Sequence, residues 1–378
     1  MLIAVVGGKL QGVDACYLAK KAGWNVILID KNPQAPAACM GDRFIVFEFS
    51  SDNPVPPDCP GVEFILPALE DEVALDAIKI WADAKKIPLA FDPAAYGIST
   101  SKLKSDDLFK QMGLPAPRPW PECDFPVLVK PDQNSGSTGV EVVRDSNSLA
   151  AVRKKSENLI IQEYLKGPSF SIEVIGMPGK YQALQVTDLG MDNLYNCKRV
   201  TAPTNLSFDK IMAFEKMAVA IAEKIGLKGI MDVEVVLHEN ELKLLEIDAR
   251  LPSQTPITVF WSTGINMVEL LGSLFTGRPY GTPGKKDAQY VIFEHIKVSE
   301  NGLECLGEHI MAKEGLLTCQ SGFFEADEAI TSFVPEKNEA VKEDWVATLI
   351  FFSRSREKLL EKRQKCYDRI RHSRNSVI

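Results

Sequence analysis

Histidine is scarce in this chain of 378 residues: there are four, and no two stand four positions apart. A histidine-built metal centre or a Ser-His-Asp triad has little to be made from. The eight cysteines (16, 39, 59, 123, 197, 305, 319, 366) include no Cys-x-x-Cys pair, which argues against zinc and iron–sulfur sites and fits free thiols in a reducing compartment. Positive charge is short as well. With a net charge of −8 the chain lacks the field that general nucleic-acid or membrane-surface binding needs, so neither partner is expected. No apolar run reaches the ~18 residues of a membrane span. Met1 to Gly7 is apolar but has no basic leader and runs straight into Gly7-Gly8, so it reads as a first strand rather than a signal peptide, and a cytoplasmic location is expected. What remains is the composition of an ordinary globular protein, on a chain longer than the roughly 250 to 300 residues at which single cores stop growing. Two or three domains are expected.

The most informative stretch is Met231 to Pro256. Two runs rich in Val, Leu and Ile, 231–238 and 242–250, flank Glu239-Asn240-Glu241, and Asn tolerates the positive φ of a three-residue hairpin loop. That loop sets a register in which Glu234 faces Glu246 and Asp232 faces Asp248, with Arg250 on the same face by period-2 alternation. Residues 233, 235, 245 and 247 are Val, Val, Leu and Ile and form the other, apolar face. Like charges opposed on a sheet are destabilising, and a divalent cation would offset them; oxygen donors alone favour Mg²⁺. A merely solvated acidic face is the alternative.

The rest of the chain supplies a setting. Leu2–Val6, a helix from Asp14 to Ala22 and Asn25–Ile29 form a β-α-β unit, and strands at Phe44–Phe47 and Glu63–Pro67 extend an open parallel sheet. In such sheets ligands sit at the carboxyl ends of strands, which marks Lys9, Leu10, Gln11, Glu48 and Glu70. Asp30 stands where a ribose hydroxyl or a simple turn would use it. Lys9 occupies the second-glycine position of the dinucleotide fingerprint, so a nicotinamide-dependent oxidoreductase is disfavoured. Ser101 caps a helix through Met112, and a proline-rich joint (115–126) leads to the strand Val127–Lys130 and the turn Pro131 to Gly139. Ser135, Ser137 and Thr138 make that turn an anion nest or a plain flexible loop. Leu159–Gln162 is a strand ending in Glu163-Tyr164-Leu165. Ser207 precedes an amphipathic helix closed by Gly226, residues 285–350 read as mixed strands, and the basic tail 354–374 reads as a solvated helix with Leu359, Cys366 and Ile370 inward.

Ser101-Lys102 ahead of Gly113-Leu114-Pro115, Lys130 before Ser-Gly-Ser-Thr-Gly, Gln162-Glu163-Tyr164-Leu165, and Glu234 with Glu246-Ile-Asp-Ala-Arg250 together resemble the ATP-grasp carboxylate–amine ligases. Within them, Val-Gly-Gly-Lys-Leu-Gln-Gly (6–12), Asp-Lys-Asn-Pro-Gln-Ala (30–35), Gly-Ile-Met-Asp-Val-Glu (229–234) and the Pro-Ser-Gln-Thr-Pro extension (252–256) are similar to the ligases that join 3-methylornithine to lysine in pyrrolysine biosynthesis. The resemblance implies an α/β chain with the ATP-grasp fold: a Rossmann-like domain (1–92), an ATP-grasp core (93–280, nucleotide lobe about 114–190) and a C-terminal α+β section (281–378) completing it.

It implies ATP and Mg²⁺ as cofactors, with 3-methyl-D-ornithine and L-lysine as small-molecule substrates. Lys102, Lys130 and Ser137 would hold phosphates, Gln162, Glu163 and Leu165 would meet adenine, and Glu173 would lie close to the nucleotide. Glu234, Glu246 and Asp248 would hold the metal, making Arg250, Lys130 and Glu246 the catalytic centre. Arg250, Ser253, Gln254 and Thr255 would take a substrate carboxylate, and Asp232 an ornithine amine. Leu10, Gln11 and Glu70 would take the lysine head group, with Glu308 as a further candidate; Glu70 is equally a helix N-terminal acid. Lys9, Asp30 and Glu48 would line a nucleotide or substrate edge of the first domain. Another amino-acid or dipeptide ligase of the same superfamily is the rival reading. The role of Lys198-Arg199 stays open, as does the oligomeric state, a homodimer included.

Overall fold

The computed structural model describes residues 1–57, 59–132, 139–154, 159–279, 288–333 and 344–375. Its residues pack into two compact units, residues 1–91, 197–204 and 250–378 in the first, and 92–196 with 205–249 in the second. The sequence reading drew three consecutive sections instead. The reason for the difference lies in helices beyond residue 250, which bury against the first strands.

The first unit opens with β1 (Leu2–Val6), α1 (Leu10–Lys21), β2 (Asn25–Asp30), β3 (Arg43–Val46), β4 (Phe64–Pro67) and α2 (Glu72–Lys85). The strands are parallel in the order β3-β2-β1-β4, so the direction of winding reverses between β1 and β4. One face buries Ala4, Val6, Ile27, Ile29 and Ile65 under Ala74, Ile78 and Trp81 of α2. α1 starts four residues before the position expected, because the backbone turns helical directly after Lys9 rather than at Asp14. Gly7, with φ +107°, has no room for a Cβ, which would meet the Ala68 carbonyl at 2.3 Å.

The second unit begins with α3 (Pro93–Ser99) and α4 (Lys102–Gln111), the latter capped as expected by Ser101, whose Oγ accepts from Lys104 N–H. β5 (Val127–Pro131), β6 (Glu141–Val143), α5 (Ser146–Arg153) and β7 (Leu159–Glu163) make a three-stranded antiparallel lobe ordered β6-β5-β7. Beyond it come β8 (Ser169–Met177), β9 (Lys180–Ala183) and β10 (Thr187–Met191), and then β11 (Cys197–Ala202), which belongs to the first unit. α6 (Phe208–Ile225), β12 (Gly229–His238) and β13 (Glu241–Asp248) complete the second unit. Phe214, Ala218, Ile221 and Ala222 of α6 pack on Ile172, Val174, Met231, Val233, Val235 and Leu244. That buried layer commits one sheet face to the core and leaves the other for polar residues.

The first unit resumes with α7 (Thr255–Thr263), α8 (Met267–Thr276), β14 (Tyr290–Ser299), β15 (Gly302–Cys305), α9 (His309–Lys313), β16 (Thr318–Ser321), β17 (Glu328–Thr331), β18 (Trp345–Ser353) and α10 (Arg356–Asn375). α8 lies on the first sheet so closely that a Cβ on Gly272 would meet Trp24 at 2.6 Å and Phe64 at 3.2 Å. The late strands run in the order β11-β14-β18-β17-β16, with α10 burying Leu359, Cys366 and Ile370 against them. Among the described residues no single helix is long and apolar enough to cross a membrane.

Candidate active site

In the second unit the hairpin pairs Asp232 with Asp248 and Glu234 with Glu246, as the sequence leads one to expect. The route to that register differs. The turn has two residues, Glu239 and Asn240, both at positive φ as in a type I′ turn, and His238 faces Glu241. A bulge between Glu234 and Val235 takes up the extra residue. Leu244 rather than Leu245 is therefore the buried one. β8 adds a third strand to the acidic face, with Glu173 beside Asp232 and Ser171 beside Glu234. Ser171 Oγ hydrogen-bonds Asp232 Oδ1.

Two lysines from separate elements gather at Glu246. Lys102 Nζ, at the start of α4, lies 3.5 Å from Glu246 Oε1. Lys130, on β5, is only 5 % exposed. Burial pulls its pKa below the ordinary lysine value and the charge of Lys102 adds to this, while Asp106 and Glu246 pull the other way. Among the described residues no three His, Cys, Asp or Glu side chains form a ready-made metal cage. The donors present are carboxylates opposed in pairs, which suits a hard cation completed by ligand oxygens.

The strand β7 ends with Gln162 and Glu163 both buried. Glu163 accepts from Lys243 Nζ at 2.7 Å, Arg118 Nη2 at 3.0 Å and the Arg118 backbone N–H at 3.2 Å. Burial alone would raise its pKa, but these three donors override it and bring the carboxyl to about 2. Its side chain is thus occupied, leaving backbone as what this stretch can offer a ligand. Ser137, with the rest of residues 133–138, lies outside the described residues.

In the first unit, Gln11 Nε2 at the start of α1 donates to Glu70 Oε1 at 3.1 Å, and Arg250 Nη2 donates to the same oxygen at 2.5 Å. Gln11 and Glu70 follow β1 and β4, the two strands between which the winding reverses, where open α/β sheets bind ligands. Arg250 lies beyond the end of β13, so alternation does not assign it a face: the strand stops at Asp248, and Ala249 N–H leaves the ladder for Ser99 Oγ. Gln254 and Thr255 are buried inside the first unit and Ser253 is half-buried. Asp30 accepts from Gly8 N–H and Asn32 N–H, and Glu48 forms an exposed pair with Lys31 at 3.3 Å. Lys9 is exposed at the N-cap of α1, where Leu10 begins the helix, and Glu308 donates its N–H to the Cys197 carbonyl.

Sequence reasoning missed three groups. Arg118 and Lys243 lock Glu163. Glu294, fully buried on β14, is gripped by Arg199 at 2.7 Å and by Arg363 at 2.5 Å, which gives Arg199 an anchoring job. Asp14 and His295 are buried around Gln254. The Glu294-His295 pair standing inside the apolar run Val291 to Ile296 was the available signal.

A family model described as an ATP-grasp domain matches residues 99–254. The fold agrees: N5-carboxyaminoimidazole ribonucleotide synthetase from Thermotoga maritima superposes with a TM-score of 0.66 at 18 % identity, covering 98 % of both chains. A biotin carboxylase from Campylobacter jejuni gives 0.71 at 15 % identity, covering 98 % of this chain and 91 % of that one. The chain is an ATP-grasp ligase, of the α/β class with a Rossmann-like N-terminal sheet. Two curated relatives narrow this: the 3-methyl-D-ornithine–L-lysine ligases of Methanosarcina mazei and Methanosarcina barkeri. Each is 34 % identical over 96 % of this chain, which covers 94 % and 96 % of their lengths. The chain belongs to that ligase family.

Proposed function

We propose that the protein joins the carboxylate of 3-methyl-D-ornithine to the ε-amine of L-lysine, with ATP converted to ADP and phosphate, as a cytoplasmic step of pyrrolysine biosynthesis. The observation that carries the phosphoryl-transfer reading is the convergence of Lys102 and buried Lys130 on Glu246, one of a directly opposed carboxylate pair. Cations facing carboxylates in a partly covered site suit a substrate rich in negative charge bound with a divalent ion. Lys102, Lys130 and Ser137 would hold the phosphates. Glu234, Glu246 and Asp248 would hold Mg²⁺, which when bound neutralises phosphate charge. Backbone of Gln162 to Leu165 would meet adenine while the locked Glu163 side chain keeps that backbone in place, and Glu173 would lie near the nucleotide.

Arg250 and Glu70 form a cation–anion couple, the complement of an amino-acid zwitterion. With substrate bound, Arg250 would take a carboxylate through its two-pronged guanidinium, and Glu70, supported by Gln11 and the backbone at Leu10, an ammonium. Asp232, which also accepts from Ser171 Oγ, would take an ornithine amine. In the first step a carboxylate oxygen attacks the terminal phosphorus of ATP and ADP leaves. In the second the neutral amine attacks the acyl carbon, phosphate leaves with the bond electrons, and the nitrogen gives up a proton. Ser253 and Glu308 are peripheral in this reading. Lys9, Asp30 and Glu48 have no part in it.

The test is to incubate the protein with ATP, Mg²⁺ and both amino acids, reading the product by mass spectrometry and the nucleotide by chromatography. The expected result is the ε-linked isopeptide with one ADP per bond. Release of AMP and pyrophosphate, or ADP formation only with other amino-acid pairs, would refute it.

A further inference from the structure

Gln254 has φ +73° and ψ −55°, and across it Thr255 N–H donates to the Ser253 carbonyl at 2.9 Å. That is a γ-turn of the strained, positive-φ form, rare for any residue with a side chain. Such backbone is strained and persists only where its surroundings over-determine it. Here they do. The Gln254 N–H donates to Asp14 Oδ2 on α1 at 2.7 Å. Its Oε1 meets His295 Nε2 on β14 at 3.2 Å, and His295 Nδ1 meets Thr348 Oγ1 on β18 at 2.7 Å. Its carbonyl accepts from Thr258 Oγ1 at 3.0 Å. Asp14, Gln254, His295 and Thr348 are all buried, between 2 % and 7 % exposed. Burial, with the nearby charge of His309, lowers the His295 pKa to about 3, so the ring is neutral: Nε2–H donates to Gln254 and Nδ1 accepts from the Thr348 hydroxyl.

The turn sits four residues after Arg250. The same helix, α1, meets both ends of this loop: Gln11 binds Glu70, the partner of Arg250, and Asp14, three residues on and thus on the same helix face, binds Gln254. We infer that Asp14, Gln254 and His295 are positioning residues, a buried lock that holds the 250–254 loop under strain and so presets the Arg250 guanidinium for a substrate carboxylate. Gln254 acts through this lock and not by touching substrate. The inference rests on the carboxylate role of Arg250 proposed above, but the lock itself is testable without any ligand.

Three variants separate the possibilities. Asp14→Asn keeps a carbonyl oxygen for the Gln254 N–H, and because burial already raises the Asp14 carboxyl well above its ordinary range, a neutral amide is a close stand-in. Asp14→Ala removes the acceptor. Gln254→Gly accepts the γ-turn without strain yet loses the side chain that His295 holds, so it folds even if Asp14→Ala does not. Amide exchange of the 250–258 peptide is read without ligand, and affinities for D-ornithine and ADP are read by titration calorimetry. Asp14→Ala and Gln254→Gly should each speed exchange and weaken D-ornithine by about tenfold, the worth of one lost buried hydrogen bond. ADP affinity should stay within about twofold, and Asp14→Asn should match the wild type throughout. Unchanged exchange, unchanged D-ornithine affinity, an equal loss of ADP affinity, or an Asp14→Asn variant as damaged as Asp14→Ala overturns the lock. If the wild type itself takes up no D-ornithine while exchange behaves as expected, the proposed substrate falls and the lock stands.

Discussion

Glu163→Ala is the perturbation whose size the structure defines best. The Glu163 carboxylate is 10 % exposed and its partner Lys243 13 %, at 2.7 Å, whereas Arg118 is 56 % exposed. Removing a nearly covered anion strands the Lys243 ammonium, a loss of up to about 3 kcal/mol, since fully buried pairs cost more to break. The exposed Arg118 guanidinium adds little because water screens it, and its backbone N–H loses an acceptor worth about 1 kcal/mol. About 3 kcal/mol of destabilisation is expected. The folded carboxyl sits at about 2 against 4.5 for the free group. A depressed carboxyl stabilises fully above its unfolded pKa and ceases to as pH falls to the folded one. The gap between wild type and variant should therefore be level above about pH 5 and shrink as pH falls from about 4.5 towards 2. Urea unfolding at pH 7 and pH 3, with Lys243→Met completing a double-mutant cycle, measures both. A loss below about 0.5 kcal/mol, or a gap unchanged by acid, would show that the network is solvated and that the proposed backing of the adenine strand is absent.

Three further outcomes are expected. Glu246→Ala should abolish ligase turnover while costing the fold about 1 kcal/mol or less, because Lys102 loses only a 3.5 Å partner that is itself 40 % exposed; near wild-type turnover at low Mg²⁺ would remove its metal role. Arg250→Lys should lower kcat/KM for the ornithine-type substrate roughly 30- to several-thousand-fold, the kinetic equivalent of about 2 to 5 kcal/mol, since an ammonium cannot make the two-pronged grip. Glu70→Gln should raise KM for lysine by about one to two orders of magnitude with little change in melting temperature, as the amide keeps an acceptor for Gln11 and Arg250. A lower melting temperature with normal KM would make Glu70 an acid that merely serves the start of α2.

The parts legible in the sequence were those fixed by local periodicity. The parallel strands, the Ser101 cap, the Gly226 helix stop and the opposed acids of the hairpin all follow from short-range patterns. The hairpin register came out right although its turn is one residue shorter than expected, because the bulge restores the count. Alternation has no hold on Arg250, which lies past the end of β13. α7 was not foreseen, since Thr255-Pro256 reads as the close of a loop, although proline suits a first helical turn. Pairings such as Glu70 with Arg250, 180 residues apart, or Asp14 with Gln254, 240 apart, leave no periodic trace. They arise from packing helices of the late chain onto the first sheet.

That packing has a consequence for synthesis. The first sheet is complete by residue 67, and α2 can cover one of its faces at once. α8, which seats Gly272 against Trp24 and Phe64, emerges about 200 residues later. At about 5 to 20 residues per second, the ribosome takes roughly 10 to 40 seconds to deliver it. Through that interval the nascent sheet keeps a strip of apolar surface without its final cover, while the whole second unit is made and can fold. Trp24 and Phe64 therefore reach their final packing late in synthesis, after the whole second unit has been made.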